Sequence, residues 1–307
     1  MEKVIVVIGP TSVGKTKMGV ALAKKFNGEV ISGDSMQIYK QMDIGTAKVT
    51  EEEKEGIIHH CVDILNSDET YSVHDFQQTV RKKITEIAQR GHVPIIVGGT
   101  GLYIKAALYD YQFDEMENDH HAINEKYKDY TNEQLHDHLK SIDEESAKTL
   151  HFNNRRRVLR AIEIYETTGK RKSEMLEEQE HICLYDAYFV GLTLPRDVLY
   201  ERINKRVDVM MENGLKEEMD CLYSQGLTRN HQSMKAIGYK EWFDYYDHQI
   251  DLNDVLELIK KHSRQYAKRQ YTWFKNQFDV HWYDVNLENF EQTIEQVTDD
   301  IEKILKV

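Results

Sequence analysis

Apolar and polar residues are distributed in two different ways along the first third of the chain. Four short apolar segments predict buried strands: Val4–Ile8, Glu29–Ser32, His59–Leu65 and Val93–Gly99. Between them, apolar residues three or four positions apart predict helices over Lys15–Phe26 and Val73–Gly91. Strands that are separated by helices are typical of a parallel sheet with crossover helices packed on its faces.

The pattern changes from about Tyr111. Helical spacing continues through Tyr130–Leu150 and Asn153–Gly169, with no strand between these segments. One more apolar run, Tyr185–Pro195, predicts a strand that returns to the sheet, and beyond Asp197 the spacing is helical to the end. We therefore predict an α/β core of residues 1–110 and 182–307, with a helical C-terminal part, and a helical insertion of residues 111–181.

A glycine-bounded loop between the first strand and the first helix has the phosphate-loop spacing G-x-x-x-x-G-K-[ST]. Its residues are Gly9, Pro10, Thr11, Ser12, Val13, Gly14, Lys15 and Thr16. Amide N–H groups of such a loop point at phosphate oxygens, Lys15 supplies a positive charge, and the Thr16 hydroxyl suits Mg²⁺. The fold class is therefore a phosphate-loop NTPase-like parallel sheet flanked by helices. Both an ATP kinase and an enzyme that expels diphosphate from another substrate need this loop.

Two further segments follow predicted strands. Asp34 comes directly after the second strand, at the sheet edge where open α/β sheets bind ligands. It is a candidate magnesium ligand, general base or N-cap of the next helix. The fourth strand ends in Gly98–Gly99–Thr100–Gly101, where phosphate-loop kinases often place a magnesium-binding Asp. Three glycines around one hydroxyl predict close approach of backbone to a ligand, with Thr100 as the hydrogen-bonding group.

Composition is that of a soluble globular protein, with 40% hydrophobic and 30% charged residues. No stretch has the roughly 20 apolar residues that span a bilayer, and the N-terminus lacks a signal-peptide layout. Cys61, Cys183 and Cys221 are far apart and form no C-x-x-C pair, which excludes a disulfide framework and a zinc knuckle. We expect a cytoplasmic protein that does not bind membranes and, since no protein partner is implied, a monomer.

The formal net charge of −13 argues against a polyanionic partner, but local patches decide such binding. Basic residues gather in RRRVLR, where Arg156 and Arg160 lie one helical turn apart, and in KKHSRQYAKRQYTWFK. In the second segment the basic stripe is Lys261, Arg264, Lys268 and Lys275, and the stripe beside it is Leu258, His262, Tyr266 and Trp273. Interleaved basic and aromatic residues grip phosphates and stack on bases, although a solvated amphipathic helix also has this pattern.

Six segments of the chain occur in the order found in the tRNA dimethylallyltransferases, also called tRNA isopentenyltransferases. The segments are GPTSVGKT, SGDSMQIYKQMDIGTAK, PIIVGGTGLY, RRRVLRAIEIYETTGK, AIGYKEW and RQYAKRQYTWF. The chain resembles this family from Val4 to Phe274. The resemblance implies a phosphate-loop α/β core with a helical insertion, in agreement with the fold predicted from the pattern.

The resemblance also implies an activity. A dimethylallyl group moves from dimethylallyl diphosphate, held by the phosphate loop with Mg²⁺ near Thr16, to the exocyclic amine of the adenosine just 3′ of the tRNA anticodon. Asp34 then accepts the proton of the amine, and Thr100 hydrogen-bonds near the diphosphate or the reacting base. Arg206 and Lys235 are candidates for a further cation at the diphosphate.

The expected macromolecular partner is the tRNA anticodon stem-loop. Ser35, Met36 and Gln37 border the target base, and the arginines of the insertion and the basic stripe contact tRNA. The residues that the resemblance assigns to tRNA binding are Asp34, Ser35, Met36, Gln37, Thr100, Arg156, Arg157, Arg160, Lys261, Arg264 and Lys268.

Two alternatives come from other functional classes. A small-molecule kinase with a phosphate loop and a helical lid explains the loop but not the basic, aromatic helix. A nucleotide-dependent RNA-binding module explains both but performs no transfer, and Asp34 is then only a cap. The glycine-flanked Thr100 favours the prenyltransferase over the kinase.

Overall fold

The structure is a computed structural model that describes residues 1–111, 120–177 and 181–305. Within these ranges one sheet is formed by six strands: β1 Lys3–Ile8, β2 Gly28–Ser32, β3 His59–His60, β4 Val93–Gly98, β5 Asp186–Thr193 and β6 His281–Asp284. The strand order is β3-β2-β4-β1-β5-β6, and every neighbouring pair is parallel. The predicted α/β fold with a parallel sheet is thus confirmed.

Helices cover both faces of the sheet and form the insertion. They are α1 Lys15–Lys25, α2 Glu51–Lys54, α3 Val73–Gln89, α4 Gly101–Leu108, α5 His120–Lys126, α6 Asn132–Ile142, α7 Glu144–Thr149, α8 Arg155–Thr168, α9 Lys172–Glu177, α10 Arg196–Glu212, α11 Leu215–Ser224, α12 Trp242–Tyr246, α13 Leu252–Gln277 and α14 Phe290–Leu305. No helix in the described ranges is long and apolar enough to cross a membrane.

The central strand β1 shows how the sheet divides the core into two layers. Val4, Val6 and Ile8 belong to the cluster on one face, with residues of α3, α4, α11 and α13. Ile5 and Val7 belong to the cluster on the other face, with residues of α1, α10 and α14. Successive side chains of a strand point to opposite faces, so an apolar run without alternation is what a doubly covered strand requires.

The register of the sheet brings three loops to one edge. Ile8 at the end of β1 is paired with Gly98 of β4, and Ser32 at the end of β2 is paired with Val97 of the same strand. Because parallel strands end at a common edge, the loops that follow β1, β2 and β4 meet there. These are the phosphate loop, the Asp34 loop and the Thr100 turn.

Three element predictions were wrong in detail. The strand predicted over His59–Leu65 stops after His60, because Cys61 and Asp63 have φ angles of 61° and 55°, which end an extended strand. The region beyond Asp197 is not wholly helical, since β6 adds a four-residue edge strand beside β5. The helix predicted over Tyr130–Leu150 is two helices, α6 and α7, which are separated at Asp143.

The chain divides into two compact units, Met1–Tyr109 with Cys183–Val307, and Asp110–Ile182. The second unit has its own core, to which α6 contributes Leu135 and Leu139 and α8 contributes Val158 and Ile162. The sequence placed these boundaries at 110/111 and 181/182, one residue away at each end. In the first unit, Tyr109 and Cys183 form an antiparallel bridge, and the Leu184 N–H donates to the Leu108 carbonyl at 2.8 Å.

Candidate active site

The phosphate loop follows β1 and has the backbone that its glycines predict. Gly9 and Gly14 have φ angles of 147° and 107°, which favour glycine, and Ser12 also has a positive φ of 67°. A Cβ on Gly9 would lie 2.6 Å from the Leu192 carbonyl oxygen, so the loop packs directly on β5. Gly14 immediately precedes α1, so the N-terminus of this helix faces the interior of the loop.

Lys15 turns back into the loop, where its Nζ donates to the Pro10 carbonyl at 2.8 Å. Burial, and after it the positive charge of Arg206, lowers the pKa of Lys15 to about 7, against a smaller opposing effect of Asp34. The amine is therefore poised to gain a proton when an anion enters the loop.

A second source of positive charge is helix α10, which places Arg202, Lys205 and Arg206 beside the loop. Arg202 Nε donates to the Ser12 carbonyl at 3.0 Å, and Arg206 donates to the Thr11 hydroxyl at 3.4 Å. The sequence analysis named Arg206 only as a candidate and missed the other two. Their spacing on one helical face, three and four positions apart, was the available signal.

These groups surround a cavity of about 550 Å³. Its charged and hydroxyl lining includes Thr16, Lys15, Arg202, Lys205 and Arg206, and Asp34 lies at its border with a second cavity. Lys235, the other candidate cation, does not line this first cavity. The cluster of cations around a ring of loop amides is suited to a diphosphate.

Asp34 is positioned by the turn that follows β2. Its Oδ1 accepts hydrogen bonds from the Met36 N–H at 2.8 Å and the Gln37 N–H at 3.4 Å, so it caps a turn and not a helix. In the described parts of the chain no donor reaches its other oxygen, Oδ2. One carboxylate oxygen thus holds the loop in place while the other is available for a substrate.

Thr100 connects the turn after β4 to the Asp34 loop. Its Oγ1 accepts from the Ser35 N–H at 3.1 Å and donates to the Ser35 hydroxyl at 3.4 Å, and its own N–H donates to the Gly33 carbonyl at 3.2 Å. The hydroxyl is therefore engaged in fixing the neighbouring loop.

The glycines around Thr100 make close approaches, but in the structure these approaches are to protein groups. A Cβ on Gly98 would lie 2.3 Å from the backbone of Gly33, and a Cβ on Gly101 would lie 2.2 Å from the Trp273 ring. A Cβ on Gly99 would lie 2.1 Å from the side-chain amide of Gln270. These contacts account for the three glycines without a bound ligand.

A second cavity, of about 350 Å³, adjoins the first. Thr11, Asp34 and Arg206 line both, so the two cavities meet at these residues. The lining of the second mixes apolar with polar and charged side chains, and its apolar part includes Met36, Val207, Met210, Ile237 and Tyr266. Lys235, Lys240 and Arg269 add positive charge to its lining.

Tyr266 of α13 lies close to the junction of the cavities. Burial, and then the charge of Asp34, raises the pKa of Tyr266 to about 12, so its hydroxyl is neutral at physiological pH. The hydroxyl donates to the Gly99 carbonyl at 3.4 Å. The sequence assigned Tyr266 to a partly aromatic stripe that stacks on bases, and in the structure the residue lines the second cavity.

Residues 45–47 form a shared wall, in which Thr46 and Ala47 line both cavities and Gly45 lines the second. Gln37 holds this wall through hydrogen bonds of its Nε2 to the Thr46 and Ala47 carbonyls, both at 3.3 Å. Glu218 of α11 accepts from the Ile44 and Gly45 N–H groups at 2.7 and 3.0 Å. Gln37 also accepts from the Ser32 hydroxyl through its Oε1 at 3.1 Å, so it joins this wall to the end of β2.

The basic stripe of α13 is only partly available to a ligand. Lys261 and Lys268 are exposed, whereas Arg264 is half-buried and donates to the Asn204 side chain. His262 of the adjacent stripe contacts Glu241 at 2.6 Å, and Trp273 packs on Phe278 with ring centroids 5.4 Å apart. Two members of the partly aromatic stripe, His262 and Trp273, thus contact other protein groups.

In the insertion, Arg156 and Arg157 are exposed at the start of α8. Arg160 donates to Glu163 at 2.8 Å, and Glu163 is only 3% exposed. Arg155, which the sequence analysis did not single out, donates to the carbonyl oxygens of Tyr130 and Tyr127 at 2.7 and 2.6 Å. The arginine run therefore combines two exposed side chains with two that hold the insertion together.

The oxygen donors of the site decide whether Mg²⁺ fits there. The described residues contain no group of three or more His, Cys, Asp or Glu side chains that would enclose a metal. The Thr16 hydroxyl and the Asp34 carboxylate both line the first cavity. Mg²⁺ keeps several waters and often binds through one or two protein oxygens together with substrate phosphates, so this donor set fits it.

Comparisons with known proteins agree on one family. A family model described as IPP transferase matches residues 37–277. A tRNA dimethylallyltransferase of Bacillus cereus is 54% identical over 287 residues, which cover 92% of this chain and 90% of the relative.

Solved structures give the same result. A tRNA delta(2)-isopentenylpyrophosphate transferase from Staphylococcus epidermidis is 47% identical with a TM-score of 0.74, and 99% of each chain is covered. A eukaryotic dimethylallyltransferase, described as acting on tRNA, is 33% identical with a TM-score of 0.86, over 99% of this chain and 79% of the other. With sequence and structure in agreement over nearly its whole length, the chain belongs to the tRNA dimethylallyltransferase family.

Proposed function

We propose that the protein transfers a dimethylallyl group from dimethylallyl diphosphate to the exocyclic amine of the adenosine 3′-adjacent to the anticodon in tRNA, releasing diphosphate. The observation that carries this proposal is the meeting of two unlike cavities at Asp34. One is rimmed by the phosphate loop and the cations of α10, and the other adds apolar side chains and the ring of Tyr266 to its polar lining. A reaction between a diphosphate ester and a flat base needs both.

The first cavity provides the leaving-group half of the reaction. As the allylic carbon–oxygen bond breaks, negative charge develops on the departing diphosphate oxygens. Lys15, Arg206 and the amides of the phosphate loop lie where they stabilise this charge. The Thr16 hydroxyl would hold Mg²⁺, which would supply further positive charge against the departing diphosphate.

The second cavity provides the acceptor half. A base within the anticodon loop must leave its stack to react, and a cavity with Met36 and Tyr266 in its walls offers apolar and aromatic surface in exchange. The exocyclic amine of adenine is a weak nucleophile because its lone pair is delocalised into the ring. The free Oδ2 of Asp34 accepts the proton of this amine as the new carbon–nitrogen bond forms.

Exposed cations supply the grip on the tRNA backbone. Arg156 and Arg157 of the insertion, and Lys261 and Lys268 of α13, are exposed side chains without a catalytic task. We assign them to phosphate contacts, which position a nucleic acid without reading its sequence. Ser35 and Thr100 have a separate role, because the hydrogen bond between them fixes the Asp34 loop at the edge of the second cavity.

We also propose that the protein acts as a monomer in the cytoplasm. A monomer suffices because one chain supplies every group assigned to the two cavities. The cysteines Cys61, Cys183 and Cys221 are free thiols, as a reducing compartment favours.

The proposed function is tested by incubating the purified protein and Mg²⁺ with unmodified tRNA and labelled dimethylallyl diphosphate. We expect label in tRNA, which nuclease digestion maps to the adenosine beside the anticodon. A parallel reaction replaces the diphosphate substrate with labelled ATP and offers small-molecule acceptors. Phosphoryl transfer in that reaction, with no label in tRNA, would overturn the proposal in favour of the kinase alternative.

A further inference from the structure

Gln270 is a buried polar residue to which the transfer mechanism above gives no task. It lies on the inner face of α13 and is 6% exposed. Buried side-chain amides cost free energy unless they are hydrogen-bonded, so the partners of Gln270 show what it does.

Both ends of the Gln270 amide bind backbone groups of the site. Its Oε1 accepts from the Thr11 N–H in the phosphate loop at 3.0 Å, and its Nε2 donates to the Gly99 carbonyl at 3.0 Å. The orientation of the amide follows from these partners, because an N–H needs an acceptor and a carbonyl needs a donor. One side chain thus joins the phosphate loop at Thr11 to the turn after β4 at Gly99, and these two residues are 88 positions apart in sequence.

The hydrogen bonds continue from Gly99 to the acceptor half of the site. The next residue, Thr100, accepts from the Ser35 N–H at 3.1 Å, and Ser35 adjoins Asp34. The phosphate loop and the Asp34 loop are therefore connected through Gln270 and Thr100. Replacing Gln270 would let the distance between the diphosphate and the base vary, although Gln270 itself touches neither of them.

We propose that Gln270 is a positioning residue for prenyl transfer, which holds the phosphate loop and the Thr100–Asp34 loops in reactive register. The proposal rests on the proposed function. Reacting atoms must lie about 3–3.5 Å apart in a productive complex, and small misplacements lower the rate much more than they lower binding.

The geometry explains why this residue is glutamine. An anionic glutamate would accept from Thr11 but would face the Gly99 carbonyl with a second oxygen, which is repulsive. An asparagine is one methylene shorter and cannot reach both partners. Gly99 completes the fit, because a Cβ there would lie 2.1 Å from Nε2 of Gln270.

The first test replaces Gln270 with methionine, which has nearly the same shape and no polar terminus. Its control is Gln265→Met, on the exposed side of the same helix. We expect Q270M to lower kcat about 10- to 100-fold and to change the KM for dimethylallyl diphosphate and the Kd for tRNA less than about threefold. Q265M should match the unsubstituted protein in all three. The assays are run well below the Tm of each variant.

The second test uses Gln270→Glu and its pH profile. A protonated glutamic acid has one donor and one acceptor, as glutamine has, and burial raises the pKa of such a carboxyl. We expect the kcat of Q270E, divided by that of the unsubstituted protein at the same pH, to rise about tenfold between pH 8 and pH 6. The ratio cancels pH effects that are common to both proteins.

Three results would overturn the inference. In the first, Q270M keeps the kcat of Q265M. In the second, the loss in Q270M appears equally in diphosphate and tRNA affinity, as a merely structural role predicts. In the third, the Q270E ratio is flat with pH. Failure of the proposed function is a separate result, because the unsubstituted protein would then transfer no prenyl group.

Discussion

The two cavities that meet at Asp34 are built in different ways. The cations of the first come mainly from the start of α1 and one face of α10, so short stretches of chain determine them. The second takes its walls from the Asp34 loop, Gly45–Ala47, α10, Lys235–Lys240 and α13, which are far apart in sequence. Under the proposed function, the diphosphate meets cations that two short segments position, whereas the base meets a pocket that depends on the packing of segments from both halves of the chain.

The largest expected effect lies at the junction of the cavities. Asp34→Asn keeps an oxygen that caps the Met36 N–H but removes the base, so kcat should fall about 10²- to 10⁴-fold. The Kd for tRNA, measured by filter binding, should stay nearly unchanged. Asp34→Ala removes both the cap and the base and serves as the comparison variant. Turnover of D34N equal to that of the unsubstituted protein would show that Asp34 is not the base.

The second prediction concerns the first cavity alone. Lys15→Met should weaken the binding of dimethylallyl diphosphate about 10- to 100-fold, since hydrogen bonds to charged groups contribute about 1.5–3 kcal/mol. The affinity for tRNA should not change, because Lys15 lines only the first cavity. Lys24→Met, on the same helix and paired with Glu55, is the control and should bind diphosphate normally. Calorimetry that gives equal losses for both substrates would contradict the separation of the two cavities.

The third prediction uses the pKa of Lys15, which is about 7 in the free protein. A bound diphosphate favours the charged amine, so at pH 8 binding should take up a proton at Lys15, and at pH 6 it should take up little. The affinity should accordingly rise as the pH falls from 8 to 7, by at most about tenfold per pH unit. Calorimetry in buffers of different ionisation enthalpy measures the uptake. K15M corrects for protons on the diphosphate itself, and equal uptake by both proteins would refute the assignment.

The smallest effect is expected in the insertion, where two arginines of one helix differ in their partners. Arg157 is exposed, whereas Arg160 is paired with the buried Glu163. Arg157→Gln should reduce the slope of log K for tRNA against log salt by about 0.7–0.9, the contribution of one phosphate contact. Arg160→Gln should change the slope much less. Equal slopes for R157Q and the unsubstituted protein would remove Arg157 from the tRNA contacts.

The difference between the cavities also explains what could be predicted from the sequence. The phosphate loop, Asp34 and Thr100 were found because each directly follows an apolar strand, and parallel strands end at one edge. Gln270 and Tyr266 were not assigned to the site, since a helical pattern does not reveal which of its inward residues face a cavity.

The errors have equally physical causes. The basic stripe on α13 was predicted from spacing, but spacing does not show that Arg264 is bound to Asn204. Cys61 adopts a positive φ angle although cysteine does not favour one, and Asp63 gave only the weak signal of a residue type that is enriched there, so the end of β3 was not predicted. Charge and apolarity identify candidates, and only the partners of each side chain decide between a ligand contact and an internal one.

The backbone pairing between Tyr109 and Cys183 has an evolutionary consequence. The insertion leaves the core after Tyr109 and returns before Cys183, and these two residues are paired with each other. The two ends of the core segment are therefore held together whatever the length of the chain between them. The entropy of closing a loop grows only slowly with its length, by about 0.6 kcal/mol per doubling, so changes in the length of a 73-residue excursion cost little. Such a junction would tolerate a longer or shorter inserted module without a change in the path of the core.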